Sequence, residues 1–284
     1  MRAFAEFVMR GRLQATGVCV ASAILPLTHW IGSAVVALVL LRRGPAEGAM
    51  LLMWTSLPLL AWYMVNGDAS PLLVLAGVGI LAMVLRVTVS WEITLASAVA
   101  VAAIAGFSYE ILSAQVLSML VEWYIELLVA MEQTLSPEEA RQVLVGFFAL
   151  GQAYAMVGAL LLARWWQSRL YNPDGFGKEF RALRLSPRLS IGLVAIIALF
   201  FAVGEPAFGR WIPLLTVPLV ISAIAFVHWL ISEKNLGTSW LVTFYLVLFL
   251  LIQLLYPLLT TVALLDSWMN LRKKFGSDKP ENEV

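Results

Sequence analysis

Apolar runs long enough to cross a bilayer recur along this chain and leave little room for any other architecture. A crossing helix needs about 20 mostly apolar residues to traverse a hydrocarbon layer ~30 Å thick. Such runs lie near 46–65, 71–86, 90–108, 142–163, 189–204 and 211–231, and two longer ones cover 13–41 and 239–270. Of the 284 residues, 61% are apolar and 13% are charged, where soluble domains carry about 25% charged residues. The expected fold class is therefore all-α, a polytopic transmembrane helical bundle over 1–274. The net charge of +1 is sorted by position and not pooled on one face, so nucleic acid is not an expected partner. The lipid bilayer is.

Charge sets the expected orientation, because basic residues gather in short cytoplasmic loops. Arg2, Arg10 and Arg12 precede the run 13–41, and Arg42 and Arg43 follow it. As one helix that run would be about 43 Å long, more than a simple crossing needs. Pro26 interrupts it and Pro257 interrupts 239–270, each removing a backbone donor. Hairpins turning near Pro26–His29 and near Tyr256–Pro257 would keep the basic clusters on one side. That arrangement predicts ten crossings, or eight to nine if either hairpin is a single tilted helix or re-entrant turn. Both termini would be cytoplasmic. Arg141 and Arg210 alone fall on the wrong side. Arg2, Arg10 and Arg12 ahead of Ala21-Ser-Ala23 imitate a signal peptide, but hydrophobicity resumes at once, which predicts an uncleaved first span.

The segment 109–133 reads as an amphipathic helix that lies on the outer surface of the bilayer or caps the bundle. Glu110, Gln115, Glu122, Glu126 and Glu132 share one face; Leu112, Val116, Met119, Leu120, Trp123, Leu127 and Met131 share the other. Ser136-Pro-Glu-Glu139 then has the signature of a helix start. The tail 275–284 is polar and expected to be unstructured.

Catalytic signatures are missing. There is no His-Glu-x-x-His, no phosphate-binding glycine loop and no Ser-Lys or paired-Asp constellation. Two histidines and one cysteine do not make a metal site, and Cys19 cannot form an internal disulfide. The expectation is a protein that is not an enzyme, with no cofactor and no metal. The ionisable and amide groups inside the runs are the candidates that remain, because burying them is costly. They are His29 at the first bend, His228, Gln152, Gln253, Glu92 and Asp266. Glu92 could pair with Arg86; Asp266 could satisfy the helix near Asn270 or meet a basic residue of the central loop.

That central loop, 164–188, holds six of the 19 Lys and Arg residues. Arg164, Trp165, Trp166, Arg169 and Tyr171 form a helix end suited to headgroup depth. Asn172-Pro-Asp-Gly175 is a turn. Phe176, Phe180 and Leu183, alternating with Lys178, Arg181 and Arg184, make a short basic amphipathic stretch. It suits either simple anchoring or the docking of a partner. Ala15, Cys19 and Ala23 repeat at four-residue spacing and would let another helix approach, from within the bundle or from a second membrane protein.

Leu-Ala-Arg-Trp-Trp-Gln-x-x-Leu-Tyr-Asn-Pro-x-Gly-Phe-x-x-Glu-Phe resembles a proteobacterial branch of the YybS-like membrane proteins, a family of unknown function. The ending with Asp266, Trp268 and Arg272 resembles that family's finish. The N-terminal third, with its small-residue helix, Pro26 and Gly44-Pro-Ala-Glu-Gly48, looks like the start of S-components of energy-coupling-factor transporters. That resemblance implies a docking face for a coupling subunit at Ala15, Cys19 and Ala23. It also implies a substrate cap at Thr28, His29 and Trp30; an outward-facing cavity lined by His29, Trp30 and the mid-span Gln152 would favour ligand binding. Cys19 stands where alanine is expected, and the chain has more runs than the usual six.

Two roles follow as expectations for a bacterial inner-membrane protein. One is small-molecule binding or uptake of the S-component kind. The other is a membrane scaffold or assembly factor that docks a partner through 164–188. A reporter fused after Ser190 should read cytoplasmic; a periplasmic signal there would reverse the orientation of the whole chain.

Overall fold

A computed structural model describes residues 2–25 and 27–275. Every regular element among them is a helix. In chain order these are α1 (Arg2–Arg10), α2 (Arg12–Ile24), α3 (His29–Arg43), α4 (Pro45–Asn66), α5 (Ser70–Thr88), α6 (Trp91–Leu112), α7 (Ala114–Ala130) and α8 (Pro137–Tyr171). There follow α9 (Gly175–Ala182), α10 (Pro187–Val203), α11 (Pro206–Gly209), α12 (Ile212–Leu215), α13 (Val217–Glu233), α14 (Ser239–Leu250), α15 (Ile252–Met269) and α16 (Leu271–Phe275). Their packing makes two compact units: 1–176 with 197–217, and 177–196 with 218 onward.

Six helical segments are long and apolar enough to cross a membrane, or seven if the bent pair α9–α10 counts as one. This corrects the expected eight to ten. Helix length accounts for the difference. The run 13–41 divides into α2 and α3, of 13 and 15 residues, each only about 20 Å long. The run 239–270 likewise divides into α14, of 12 residues, and α15. Charge parity counted each half as a crossing, but a 12- to 15-residue helix falls short of a ~30 Å layer.

The two long runs nevertheless begin and end at the same place. Glu47 accepts from Arg12 at 3.1 Å and from Arg43 at 3.0 Å, so the flanks of 13–41 meet on one carboxylate. Lys234 donates to the Phe275 carbonyl at 3.1 Å, so the flanks of 239–270 meet as well. The first bend lies between Ile24 and His29, with Leu27 at φ 64°. The second break lies at Leu251 and not at Tyr256–Pro257; Pro257 sits inside α15, where its carbonyl accepts from Thr260 and Thr261.

In the first unit α3 is the centre. Every residue from Gly32 to Leu41 is buried, as an all-round apolar helix should be. It packs against α2, α4, α5 and α8. Helix α8 has 35 residues and runs beside α3, α5, α6 and α7. It opens with the expected capping box: Ser136 Oγ accepts from the Glu139 N–H at 3.2 Å, and the Glu139 carboxylate accepts from the Ser136 N–H at 2.9 Å.

Within the first unit α7 buries residues other than those of its apolar face, whose expected place is the bilayer surface or a cap on the bundle. Leu117, Val121 and Leu128 point inward, with Leu117 and Val121 joining a cluster with Tyr109, Ala140 and Val145. Met119, Leu120, Trp123, Leu127 and Met131 stay exposed. An apolar face need not turn inward when the surroundings are themselves apolar. Arg141 and Arg210, the two exceptions to the expected charge sorting, lie near one acid. Glu110 at the end of α6 takes Arg141 at 3.1 Å and lies 3.7 Å from Arg210.

In the second unit the backbone from Gly177 to Ile196 packs with α13 to α16. The polar tail 276–284 and Pro26 lie outside the described residues.

Close approach of α8 to the Arg210 turn depends on Gly146, where an added Cβ would sit 2.5 Å from the Arg210 carbonyl oxygen. That oxygen is backbone and has nowhere to retreat. Gly146→Ala should therefore cost about 1–3 kcal/mol through overpacking. Thermal unfolding in detergent checks this, with Gly151→Ala, which meets open space on the same helix, as the neutral control.

Candidate functional site

The C-terminal residues Asp266, Ser267, Trp268 and Arg272 form a polar cluster with Arg181, Leu183, Arg184 and Ser190, all within the second unit. Helix α15 ends because Asn270 adopts a left-handed conformation, φ 50° and ψ 62°. Its N–H returns to the Asp266 carbonyl at 3.0 Å. The break turns the chain back so that Arg272, six residues after Asp266, faces it. Arg272 Nε donates to Asp266 Oδ2 at 2.9 Å. Its other two nitrogens donate to the Arg181 carbonyl and, at 2.6 Å, to the Leu183 carbonyl. Those carbonyls flank the end of α9, where a helix leaves acceptors without intrahelical partners. Phe226 and Trp229 lie within 6 Å of the guanidinium, at 5.8 and 5.9 Å, and complete its surroundings.

A second set of bonds ties the start of α10 to α15. Trp268 Nε1 donates to Ser190 Oγ at 3.0 Å, and Ser190 and Ser267 share a hydroxyl–hydroxyl bond of 2.8 Å. Arg184 Nη2 donates to the Ser267 carbonyl at 3.2 Å. Asp266 is fully buried, and the Arg272 side chain is 11% exposed. A buried ion pair with its donors spent on carbonyls holds two pieces of backbone together. It offers no nucleophile with a base beside it. Among the described residues no group of three or more His, Cys, Asp or Glu could hold a metal ion.

The rest of the central loop is placed as follows. Arg164 Nη1 donates to Gln167 at 2.6 Å. Trp165 and Arg169 lie on the last turns of α8, with Arg169 exposed. Trp166 is buried, with its ring 5.2 Å from Phe4. Tyr171 is half exposed and lies 4.1 Å under the Arg42 guanidinium. Ser168 Oγ organises the turn. It donates to the Asn172 carbonyl at 2.7 Å and accepts from the Phe176 N–H at 2.9 Å. Asp174 takes φ 66°, and Asn172 through Asp174 are exposed. Phe180 and Leu183 are buried; Phe180 meets His228 edge-on at 5.2 Å, and His228 hydrogen bonds to the Tyr245 hydroxyl at 2.7 Å. The apolar side of the amphipathic stretch is thus used within the protein.

The N-terminal candidates are placed differently. Ala15, Cys19 and Ala23 are buried where α2 packs on α3 and α4. Cys19 Sγ lies 3.7 Å from the Gly32 carbonyl. Thr28 Oγ1 donates to the carbonyls of Ser22 at 2.8 Å and Leu25 at 3.0 Å, closing the end of α2. The His29 carbonyl accepts from Ser33, and Trp30 is exposed. Gln152 is buried on α8 with no partner for its Oε1 among the described residues. Of two cavities in the first unit, a larger one of about 870 Å³ is lined by α4 and α5 with Leu40, and another of about 370 Å³ by residues around α8 and Arg210. None of Thr28, His29, Trp30 and Gln152 lines either of them.

Sequence reasoning singled out Asp266, Trp268, Arg272 and Arg184 but missed Ser190, Ser267 and the two carbonyls that Arg272 holds. Isolated serines inside apolar runs were the available signal for the first two. Comparison with protein-family models, curated proteins and solved structures gives no match.

Removing one partner of a buried ion pair strands the other, typically costing about 3–5 kcal/mol. Arg272→Ala should therefore loosen 177–188, and trypsin should cut after Lys178, Arg181 or Arg184 several-fold faster than in the native chain. Arg272→Lys, which keeps charge but not the fork, should fall between them.

Proposed function

We propose that this protein is a non-enzymatic bacterial inner-membrane scaffold that docks a protein partner through its cytoplasmic loop 164–188. The observation that carries this reading is the order of the turn, in which Ser168 Oγ holds the Asn172 carbonyl and the Phe176 N–H while Asn172, Pro173 and Asp174 remain exposed. A spacer needs no such device. An ordered element that presents a turn to a partner does, because prior ordering lowers the entropy cost of binding. Its six or seven apolar helices suit a multi-pass anchor. The same loop and C-terminal residues carry the resemblance to YybS-like proteins, and membership of that family is part of the proposal. So are the cytoplasmic placement of both termini and an outer-surface position for α7.

Scaffolding is preferred to S-component-like uptake on two grounds. The hydroxyl of Thr28 is committed to closing α2, and the small-residue face of α2 is buried inside the bundle.

A photo-crosslinking residue placed at Asn172 of the full chain in cells tests the docking loop. One discrete cross-linked protein is expected, diminished several-fold in Ser168→Ala, which removes both hydrogen bonds that order the turn. A small molecule recovered in stoichiometric amount from the purified protein, with no cross-linked protein, would overturn the scaffold.

A further inference from the structure

In the first unit, a cavity of about 370 Å³ beside α8 is walled by apolar side chains such as Val143, Phe147 and Pro213 and carries a few polar groups. Its size lies at the lower end of ligand pockets, roughly 300–1,000 Å³. Two of its polar groups are incompletely satisfied. Arg210 Nε, a donor, and Gln142 Oε1, an acceptor, are buried without hydrogen-bond partners among the described residues. Such groups are costly unless something pairs with them.

The arginine is pinned and yet underused. Its side chain is 11% exposed, and its guanidinium lies 4.8 Å from the Trp211 ring and 5.3 Å from Phe107. Its acidic neighbour Glu110 is 3.7 Å from Nη1, beyond hydrogen-bond length, and gives its other oxygen to Arg141 at 3.1 Å. One carboxylate therefore serves two guanidinium groups. Gln142 spends its amide nitrogen on Glu138 at 3.2 Å, leaving the carbonyl oxygen. The Glu139 carboxylate also lines the cavity while accepting from Ser136. An anion alone would meet Glu139 and leave Gln142 unsatisfied. A cation alone would leave Arg210 unsatisfied.

We propose that this cavity binds a zwitterionic head of the phosphoethanolamine type, with its phosphate oxygen accepting from Arg210 and its ammonium donating to Gln142 Oε1 beside Glu139. The apolar walls continue outward to Phe147, 61% exposed on a helix apolar enough to span a membrane. The occupant this favours is an aminophospholipid, with its acyl chains along α8. The same head could also arrive as a free soluble zwitterion. This inference is independent of the docking loop.

The test is native mass spectrometry of the full chain in mild detergent, titrated with phosphatidylethanolamine or phosphatidylglycerol of identical acyl chains. One phosphatidylethanolamine should be retained about tenfold more strongly, the ratio expected of one extra charged hydrogen bond. Gln142→Leu should bring that preference close to one, and Arg210→Gln should weaken both lipids. Equal retention of the two lipids by the native chain, or an unchanged preference in Gln142→Leu, would overturn the proposal even if Arg210→Gln fails to fold. Soluble phosphoethanolamine titrated in place of lipid separates the sources. Binding through the lipid alone assigns the site to the membrane, whereas equal binding of the soluble head assigns it to a free ligand; both support the zwitterion.

Discussion

The carbonyls that end a helix are the groups this fold has to satisfy, because apolar surroundings give them no water to bond. Arginine does so repeatedly. Arg43 reaches back to the Met9 carbonyl at 2.5 Å, at the end of α1. Arg86 closes α3 through the Leu40 and Leu41 carbonyls, at 3.1 and 2.6 Å, although Glu92 had looked its natural partner. Arg184 takes the Ser267 carbonyl near the end of α15, and Arg272 takes two at the end of α9. In each case a cation meets the negative end of a helix dipole. The basic residues that mark orientation in the sequence are therefore also the caps that let short helices stop inside the bundle.

This shared duty explains what was legible beforehand. A chain with 61% apolar residues reads as a helical membrane protein, and Ser136-Pro-Glu-Glu139 reads as a helix start, because both signals are local. The flanks of the two long runs also return to each other, through Glu47 and through Lys234, as charge sorting implied. What charge sorting could not supply is length: α2, α3 and α14 are too short to count as crossings. The apolar face that hydrophobic patterning marks on α7 stays exposed on the protein. An amphipathic face points inward only when water lies outside.

The candidate site was legible in part. Asp266, Trp268 and Arg272 stand out as polar residues closing an apolar run, and Arg184 as part of a basic cluster. That Arg272 would choose Asp266 and the carbonyls of Arg181 and Leu183 could not be read from residue types, because a backbone acceptor has no signature. The left-handed Asn270 that brings Asp266 and Arg272 together was equally silent until the chain was folded.

The two ion-pair centres, one in each unit, differ in a way that separates structure from binding. At Arg272 the three guanidinium nitrogens all have partners, while the second oxygen of its carboxylate, Asp266 Oδ1, is buried without a hydrogen bond among the described residues. Each guanidinium nitrogen is engaged within the protein, and the group holds the end of α9 against the C-terminal turn. At Glu110 one carboxylate is divided between Arg141 and Arg210, the second contact is long, and Arg210 Nε is buried without a bond among the described residues. The difference does not come from burial, since Arg210 and Arg272 are equally exposed at 11%. It lies in which group is left over, an acceptor at Arg272 and a donor at Arg210. Aromatic stacking and the close pass of Gly146 hold the Arg210 turn in place without satisfying its donor. Arg210 Nε and Gln142 Oε1, a donor and an acceptor without partners among the described residues, belong to side chains that line one cavity, and they are the groups an occupant of the proposed kind would join.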